Sequence, residues 1–250
     1  MINNRKEFII NNIYPVYQPI IDIYSYKPDG TYIIKKFEAL VRSKDINGKT
    51  LFPNFLLQYL DKQIITEKMF NKVIKDINKY KIDVSFNISL SDISNEKIVN
   101  LFFETLEKET NIGNKLTFEF IEEEEIIKNK FLVKSFIKEV HNNFKSKVAL
   151  DDFGKGYATF EPILEFEFDI IKLDKVIIQN FLSNPTNYYL LDNLIKIFNR
   201  LEKEVIAEYI EKKEELAALK YLSCRYAQGY YISPPKALKE FFQPFNIYKI

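Results

Sequence analysis

Carboxylates and carboxamides recur at one kind of place in this chain, the end of a short β-branched or aromatic run. KKFEALVR carries Glu38, DVSFNIS carries Asn87 and LTFEFIEE carries Glu119. KVALDDFG carries Asp151 and Asp152, DIIKLDK carries Lys172 and Asp174, EVIAEYIE carries Glu208 and Glu211, and YAQGYY carries Gln228. Runs of this length and composition read as buried strands of a parallel sheet. Buried charge is costly unless it is paired or bound to a metal. Carboxylates converging at strand ends therefore demand a cation, and oxygen donors select magnesium, manganese or calcium. The pattern marks the chain as an enzyme candidate.

What is scarce narrows the chemistry further. His141 is the only histidine, which excludes a zinc site of two or three histidines and leaves a serine or cysteine triad with one available base. Its setting, EVHNNFKSK, reads as a helix end before a strand, where an exposed structural role is expected. Cys224 is the only cysteine. It reads as a small core residue, no internal disulfide can form, and a reducing compartment is expected. The formal net charge is +1, so no global field draws a large nucleic acid or a membrane surface, although a local basic patch could still take an anion. No stretch approaches the roughly 20 apolar residues of a membrane span, and MINNRKEFIINN lacks the apolar core of a signal peptide. A cytoplasmic protein with no membrane segment is expected.

The elements that must position these residues alternate along the chain. Strand-like runs stand at YPVYQPIIDIY, KKFEALVRS, DVSFNIS, LTFEFI, KVALDD, DIIKLD, EVIAEY and YAQGYYIS. Helical stretches are expected between them: about Pro53 to Tyr80, about Asn95 to Glu109 behind the cap-like SDISNE, and a charged one reaching about Phe144. Others follow near Phe160 to Glu165, near Lys175 to Leu201, from about Lys212, and near Pro235. Glu123 to Glu125 read as a solvated helix N-terminus. Eight strands with their helices suggest an α/β fold of the modified TIM (β/α)8-barrel type. A doubly wound open sheet ranks second, because no glycine-rich phosphate fingerprint follows the first strand. The Asp-Gly signal in SYKPDGTY makes the first two strands a hairpin, which would put one antiparallel strand near the N-terminus into the barrel. One domain over residues 1–250 is expected.

At FEALVR and DDFGKGY the likeness becomes specific. With YQPI ahead of FEALVR, and FNIS, FEFIE, DDFGKGY, IKLD, AEYIE and AQGYY after it in that order, the chain resembles EAL-domain cyclic-di-GMP phosphodiesterases from Tyr17 to Ile232. That resemblance implies metal-dependent hydrolysis of cyclic di-GMP to linear pGpG, with two divalent cations, Mg2+ or Mn2+, and Ca2+ as an inhibitor. It implies Glu38, Asn87, Glu119 and Asp151 as ligands of one cation. Asp151 would bridge to a second that Asp152 and Glu208 help to hold. Lys172 matches a lysine contacting the attacking water or the phosphate, and Asp152 and Glu208 belong with it to the catalytic set. Gln18, Arg42, Glu211 and Gln228 match positions that contact substrate, Tyr230 offers either a guanine-stacking ring or core packing, and Glu122 matches a loop-stabilising glutamate. The resemblance is compatible with a homodimer through the face near the loop after DDFG.

The chain also departs from that pattern. AEGVE is AEYIE here, so Tyr209 stands where the family has glycine; Ile121 and Lys155 stand where it has threonine. None of these removes a presumed ligand or Lys172. Their survival favours the enzyme over the alternative function, a catalytically weak or inactive EAL domain acting as a cyclic-di-GMP receptor or interaction module. Strand alternation from Glu208 sends Tyr209 outward or over the rim. It also forbids Asp151 and Asp152 from facing one barrel interior unless the strand breaks, a break assigned to Gly154 and Gly156.

Overall fold

The computed structural model describes residues 2–27, 31–121, 124–155 and 160–242. Eight strands close a barrel: β1 (Tyr14–Asp22), β2 (Ile33–Lys44), β4 (Val84–Ile88), β5 (Leu116–Ile121), β6 (Lys147–Phe153), β7 (Ile170–Leu173), β8 (Glu204–Ala207) and β9 (Tyr226–Ala227), while β3 (Thr50–Leu51) only extends β2 at the edge. Every expected strand is present. From β2 to β9 the pairings around the barrel are parallel. β1 runs antiparallel to both its neighbours, β2 and β9, and so closes the ring. This is the α/β modified barrel with one antiparallel strand that the hairpin signal implied; the turn residues 28–30 lie outside the described residues.

Period-two alternation sorts each strand into an inner and an outer face. The outer residues join the helices in one large apolar core. The helix Lys62–Tyr80 illustrates how: Asp61 caps it by accepting from the Gln63 amide, and Ile65, Met69, Phe70, Val73, Ile74 and Ile77 form a buried stripe. Phe70 meets Phe86 of β4 edge-on at 5.5 Å, and each such side chain contributes about 1.5–3 kcal/mol by leaving water. Inside the barrel a small apolar cluster of Ile20, Ala149, Ile170, Ile206 and Tyr226 lies one inward position below Gln18, Asp151, Lys172, Glu208 and Gln228. That plug forms the floor of the site.

Three helical stretches are broken where continuous ones are expected, the charged one dividing into Glu124–Lys128 and Lys130–Phe144. Residues 53–80 divide into Pro53–Tyr59 and Lys62–Tyr80 because Leu60 is extended and Asp61 caps the second helix. Residues 175–201 divide into Lys175–Ile178 and Pro185–Arg200, where Asn184 caps and Pro185 sets the first turn. A further helix, Ile2–Asn11, precedes β1. His141 is half-buried, not exposed: its Nε2 lies 2.9 Å from Asp169 Oδ2.

Candidate functional site

The inner-face acids meet at the end of the barrel where the parallel strands finish. Glu38 on β2, Glu119 on β5 and Asp151 on β6 bring carboxylate oxygens within 4.8 Å of one another, and Asp151, Asp152 and Glu208 form a second such triplet. Asp151 belongs to both. Glu38 and Glu119 are buried, and Asn87 on β4 donates from Nδ2 to Glu38 Oε1 at 3.1 Å. Asn87 Oδ1 is buried with no hydrogen-bond partner among the described residues. A free buried acceptor beside three carboxylates is a donor set suited to a hard divalent cation.

Lys172 projects from β7 into this cluster and is fully buried. Its Nζ lies 2.9 Å from Asp151, 3.0 Å from Glu208, 3.1 Å from Glu119 and 3.3 Å from Glu38. One ammonium thus serves four carboxylates. Burial pushes the Glu119 carboxyl up to about 7, against the pull of Lys172. Burial likewise raises Asp151 and lifts Glu208 well above the carboxylate range, with the neighbouring acids adding to it. At Glu38 burial acts in the same direction, yet the Lys172 charge and hydrogen bonds from Gln228 and Asn87 win and hold its carboxyl low. Burial opposes the charge on Lys172, but the surrounding carboxylates keep it ammonium. The metal-free cluster meets its excess of acids over ammonium groups by holding protons, which an arriving cation would displace.

Local backbone geometry explains how two adjacent aspartates reach one place. Asp152 adopts φ +55°, and the β6–β7 register shifts between Leu150 and Phe153. The break therefore falls on Asp152 itself, earlier than Gly154, while Gly156 lies outside the described residues. Gly154 follows at φ +105°, where a Cβ would stand 2.4 Å from Ile177 Cγ1, so the turn closes only with glycine.

A cleft of about 430 Å3 opens above the cluster, lined by Gln18, Glu38, Arg42, Asp151, Asp152, Glu208, Glu211, Gln228 and Tyr230 together with Leu40, Lys175, Tyr209, Gly229 and Pro235. All five expected substrate-contact residues line it. Asn87, Glu119 and Lys172 lie beneath it. Gln228 donates from Nε2 to Glu38 Oε2 at 2.7 Å and to Gln18 Oε1 at 3.2 Å, and Gln18 donates to the Ser233 carbonyl. Arg42 is held by the Val41 carbonyl and rests 4.9 Å from the Phe52 ring centre. Tyr230 is 69% exposed, which rules out the core-packing reading. A Cβ on Gly229 would fall 2.1 Å from the Ile210 carbonyl oxygen; this close approach docks the Tyr230 segment against Glu208–Glu211. Glu122 lies outside the described residues.

Tyr209 lies over the rim, one of the two placements expected, but not for the reason that alternation gave. The outward orientation assumed a regular strand, but β8 ends at Ala207 and Tyr209 takes φ +56°. Its ring sits on the cleft rim, half exposed, with Lys175 Nζ 5.9 Å from the ring centre. A tyrosine thus occupies left-handed backbone that favours glycine. Sequence reasoning also missed two cations. Lys175 followed Asp174 at a strand end and was legible by position. From sequence Lys155 is only a departure from the family pattern, yet it pairs with Asp152 at 2.7 Å.

Comparison with known proteins agrees with this geometry: residues 3–235 match the EAL domain family. The chain belongs to that family. A probable cyclic di-GMP phosphodiesterase of Escherichia coli (strain K12), PdeG, is 26% identical over 238 residues, covering 90% of this EAL-domain chain and 45% of the relative. Cyclic di-GMP phosphodiesterase PdeA of Borreliella burgdorferi is 26% identical over 211 residues, covering 81% of the chain and 31% of the relative. The chain spans less than half the length of these relatives. An EAL domain protein from Listeria monocytogenes EGD-e shares the fold with a TM-score of 0.84 at 23% identity, over 98% of both chains. The FimX EAL domain from Pseudomonas aeruginosa, bound to c-di-GMP, gives 0.78 at 20% identity over 94% of both. No helix among the described residues is long and apolar enough to cross a membrane.

Proposed function

We propose that this EAL domain hydrolyses cyclic di-GMP to linear pGpG with two divalent cations, magnesium or manganese. The observation that carries the reading is Asp151, one carboxylate common to two oxygen triplets on the floor of a cleft. Glu38, Asn87, Glu119 and Asp151 would hold one cation, and Asp151, Asp152 and Glu208 the other. Such a pair, when bound, activates water and offsets charge on a phosphodiester. Lys172 orders the carboxylates and donates to the attacking water or to a phosphate oxygen. Arg42, already oriented by Val41 and Phe52, offers paired donors to phosphate. Gln18, Gln228 and Glu211 present polar edges to base and sugar, and the exposed Tyr230 ring offers a stacking face to guanine. The cyclic di-GMP phosphodiesterases among its relatives and the c-di-GMP held by the FimX domain support this choice of substrate.

The test is chromatography of products after incubation with cyclic di-GMP. Linear pGpG should form with Mg2+ or Mn2+, disappear with chelator, and scarcely form with Ca2+, whose looser geometry positions the reacting groups poorly. Lys155 on Asp152 and Tyr209 on the rim favour a second reading, a receptor that binds the nucleotide without cutting it. Binding with no product under manganese would establish that reading instead. A homodimer formed near the loop after DDFG fits the same family reading; light scattering giving only the monomer mass would remove it.

A further inference from the structure

We infer that Lys155 is a built-in competitor for the second cation, holding the affinity of the Asp151–Asp152–Glu208 triplet below that of the other group. The inference rests on the two-cation reading above and goes beyond it to a residue of this chain. Lys155 Nζ lies 2.7 Å from Asp152 Oδ2, and the two side chains are 63% and 18% exposed. The lysine can therefore swing into water, so its occupancy is reversible, while the aspartate cannot leave the cleft floor.

The turn keeps the lysine close. The Lys155 amide donates to the Asp152 carbonyl at 3.2 Å, and Gly154 between them is locked against Ile177. The charge balance then differs between the two groups. Counted with the acids ionised, as cation ligands must be, Lys172 serves Asp151 and Glu208 and Lys155 serves Asp152, which leaves that triplet one negative charge in excess. Glu38, Glu119 and Asp151 share Lys172 alone and keep two. Affinity for a hard cation follows the charge of its ligands, so the cations should enter in order, the Asp152 side last.

Calorimetric titration of the metal-free protein with MnCl2 reads this directly, without turnover. Lys155→Gln, and Lys155→Thr as a second variant, should tighten the weaker binding step about three- to tenfold, the size expected from losing one partly exposed ion pair and its repulsion of the metal. The stronger step should stay within twofold. Lys155→Arg should behave as wild type, and the difference between Lys155→Gln and wild type should shrink in about 0.5 M salt as screening grows. A weaker step detectable only in Lys155→Gln supports the inference equally. Two steps of unchanged affinity in Lys155→Gln and Lys155→Thr would overturn it and leave the two-cation reading standing. One cation, or none, bound by wild type and variants alike would overturn both.

Discussion

Lys172→Met tests the electrostatic logic of the site before any substrate is added. Methionine roughly conserves the buried volume of the lysine stem, so the change removes charge more than packing. At an effective dielectric of about 20, an ion pair near 3 Å is worth about 5 kcal/mol of gross attraction, and Lys172 makes four contacts of 2.9–3.3 Å. Most of that attraction offsets desolvation. Removing one partner of a buried set costs about 3–5 kcal/mol, or about 6–20 °C in melting temperature for a chain of this size. The cost should depend on pH with a definite sign. Glu119, raised to about 7 from 4.5, and the raised Asp151 and Glu208 hold protons in the folded state that the unfolded chain has lost. Metal-free stability therefore falls as pH rises from about 4.5 through 7 and beyond. Without the Lys172 charge these carboxyls rise further and the fall steepens. Urea unfolding in chelator should give the full deficit at pH 8 and less than half of it at pH 5.5, with Mn2+ restoring much of the loss at pH 8. Coincident unfolding midpoints at pH 8, or a larger deficit at pH 5.5, would refute the reasoning.

Four further outcomes follow from the same structure. Asp151→Ala should abolish pGpG formation while leaving far-UV circular dichroism unchanged, and near-normal turnover would remove it from the cation site; Lys172→Met should cost about 10²-fold in kcat as a water-positioning group is lost. Tyr209→Gly relieves a φ of +56° and should raise stability by about 0.5–1 kcal/mol, with KM for cyclic di-GMP within a few fold. A large fall in KM at unchanged melting temperature would mean that the ring obstructs the nucleotide. His141→Asn should cost about 1 kcal/mol. The hydrogen bond that the His141 ring donates to Asp169 raises the His141 pKa, and although burial pushes Asp169 up, His141 and the Val148 amide hold it low. The histidine's contribution is complete below its unfolded value near 6.5 and fades as pH rises through its higher folded value, while the aspartate's fades in acid. A difference between variant and wild type that stays constant from pH 5 to 9 would contradict this pairing.

The barrel was legible because its strands announce themselves twice, by apolar runs and by a polar residue at the end of each. Asn87, Glu119, Asp151, Lys172 and Gln228 obey one rule, inward at a strand end, while Glu38 faces the same way from the middle of β2, and alternation suffices to find them. The rule fails where the strand stops being a strand. Asp152 and Tyr209 both carry left-handed backbone, and no side-chain pattern marks that conformation in residues other than glycine. Lys155 and Lys175 escaped for another reason: lysines near a loop are usually solvated, and only the fold reveals which carboxylate or ring each one meets. The helix breaks at Asp61 and Asn184 were encoded as capping residues, yet they sit inside longer apolar periodicities that overrode them.

The wall of the cleft joins residues that are far apart in time as well as in sequence. Gln228 donates to Gln18, 210 positions earlier; β1 meets β9 through two register pairs, flanked by the Ile23 amide on the Arg225 carbonyl and by the exchange between Tyr17 and Lys236. The β1–β2 hairpin is local and can form soon after synthesis, but the other edge of β1 stays unpaired until the ninth strand is made. At about 5–20 residues per second that edge waits about 10–40 s, a template for pairing with a wrong neighbour. Closure dominated by such distant contacts is slow. A ribosome stalled before Gln228 would release a chain with every candidate cation ligand but no closed cleft, so truncation should abolish nucleotide binding outright instead of weakening it by degrees.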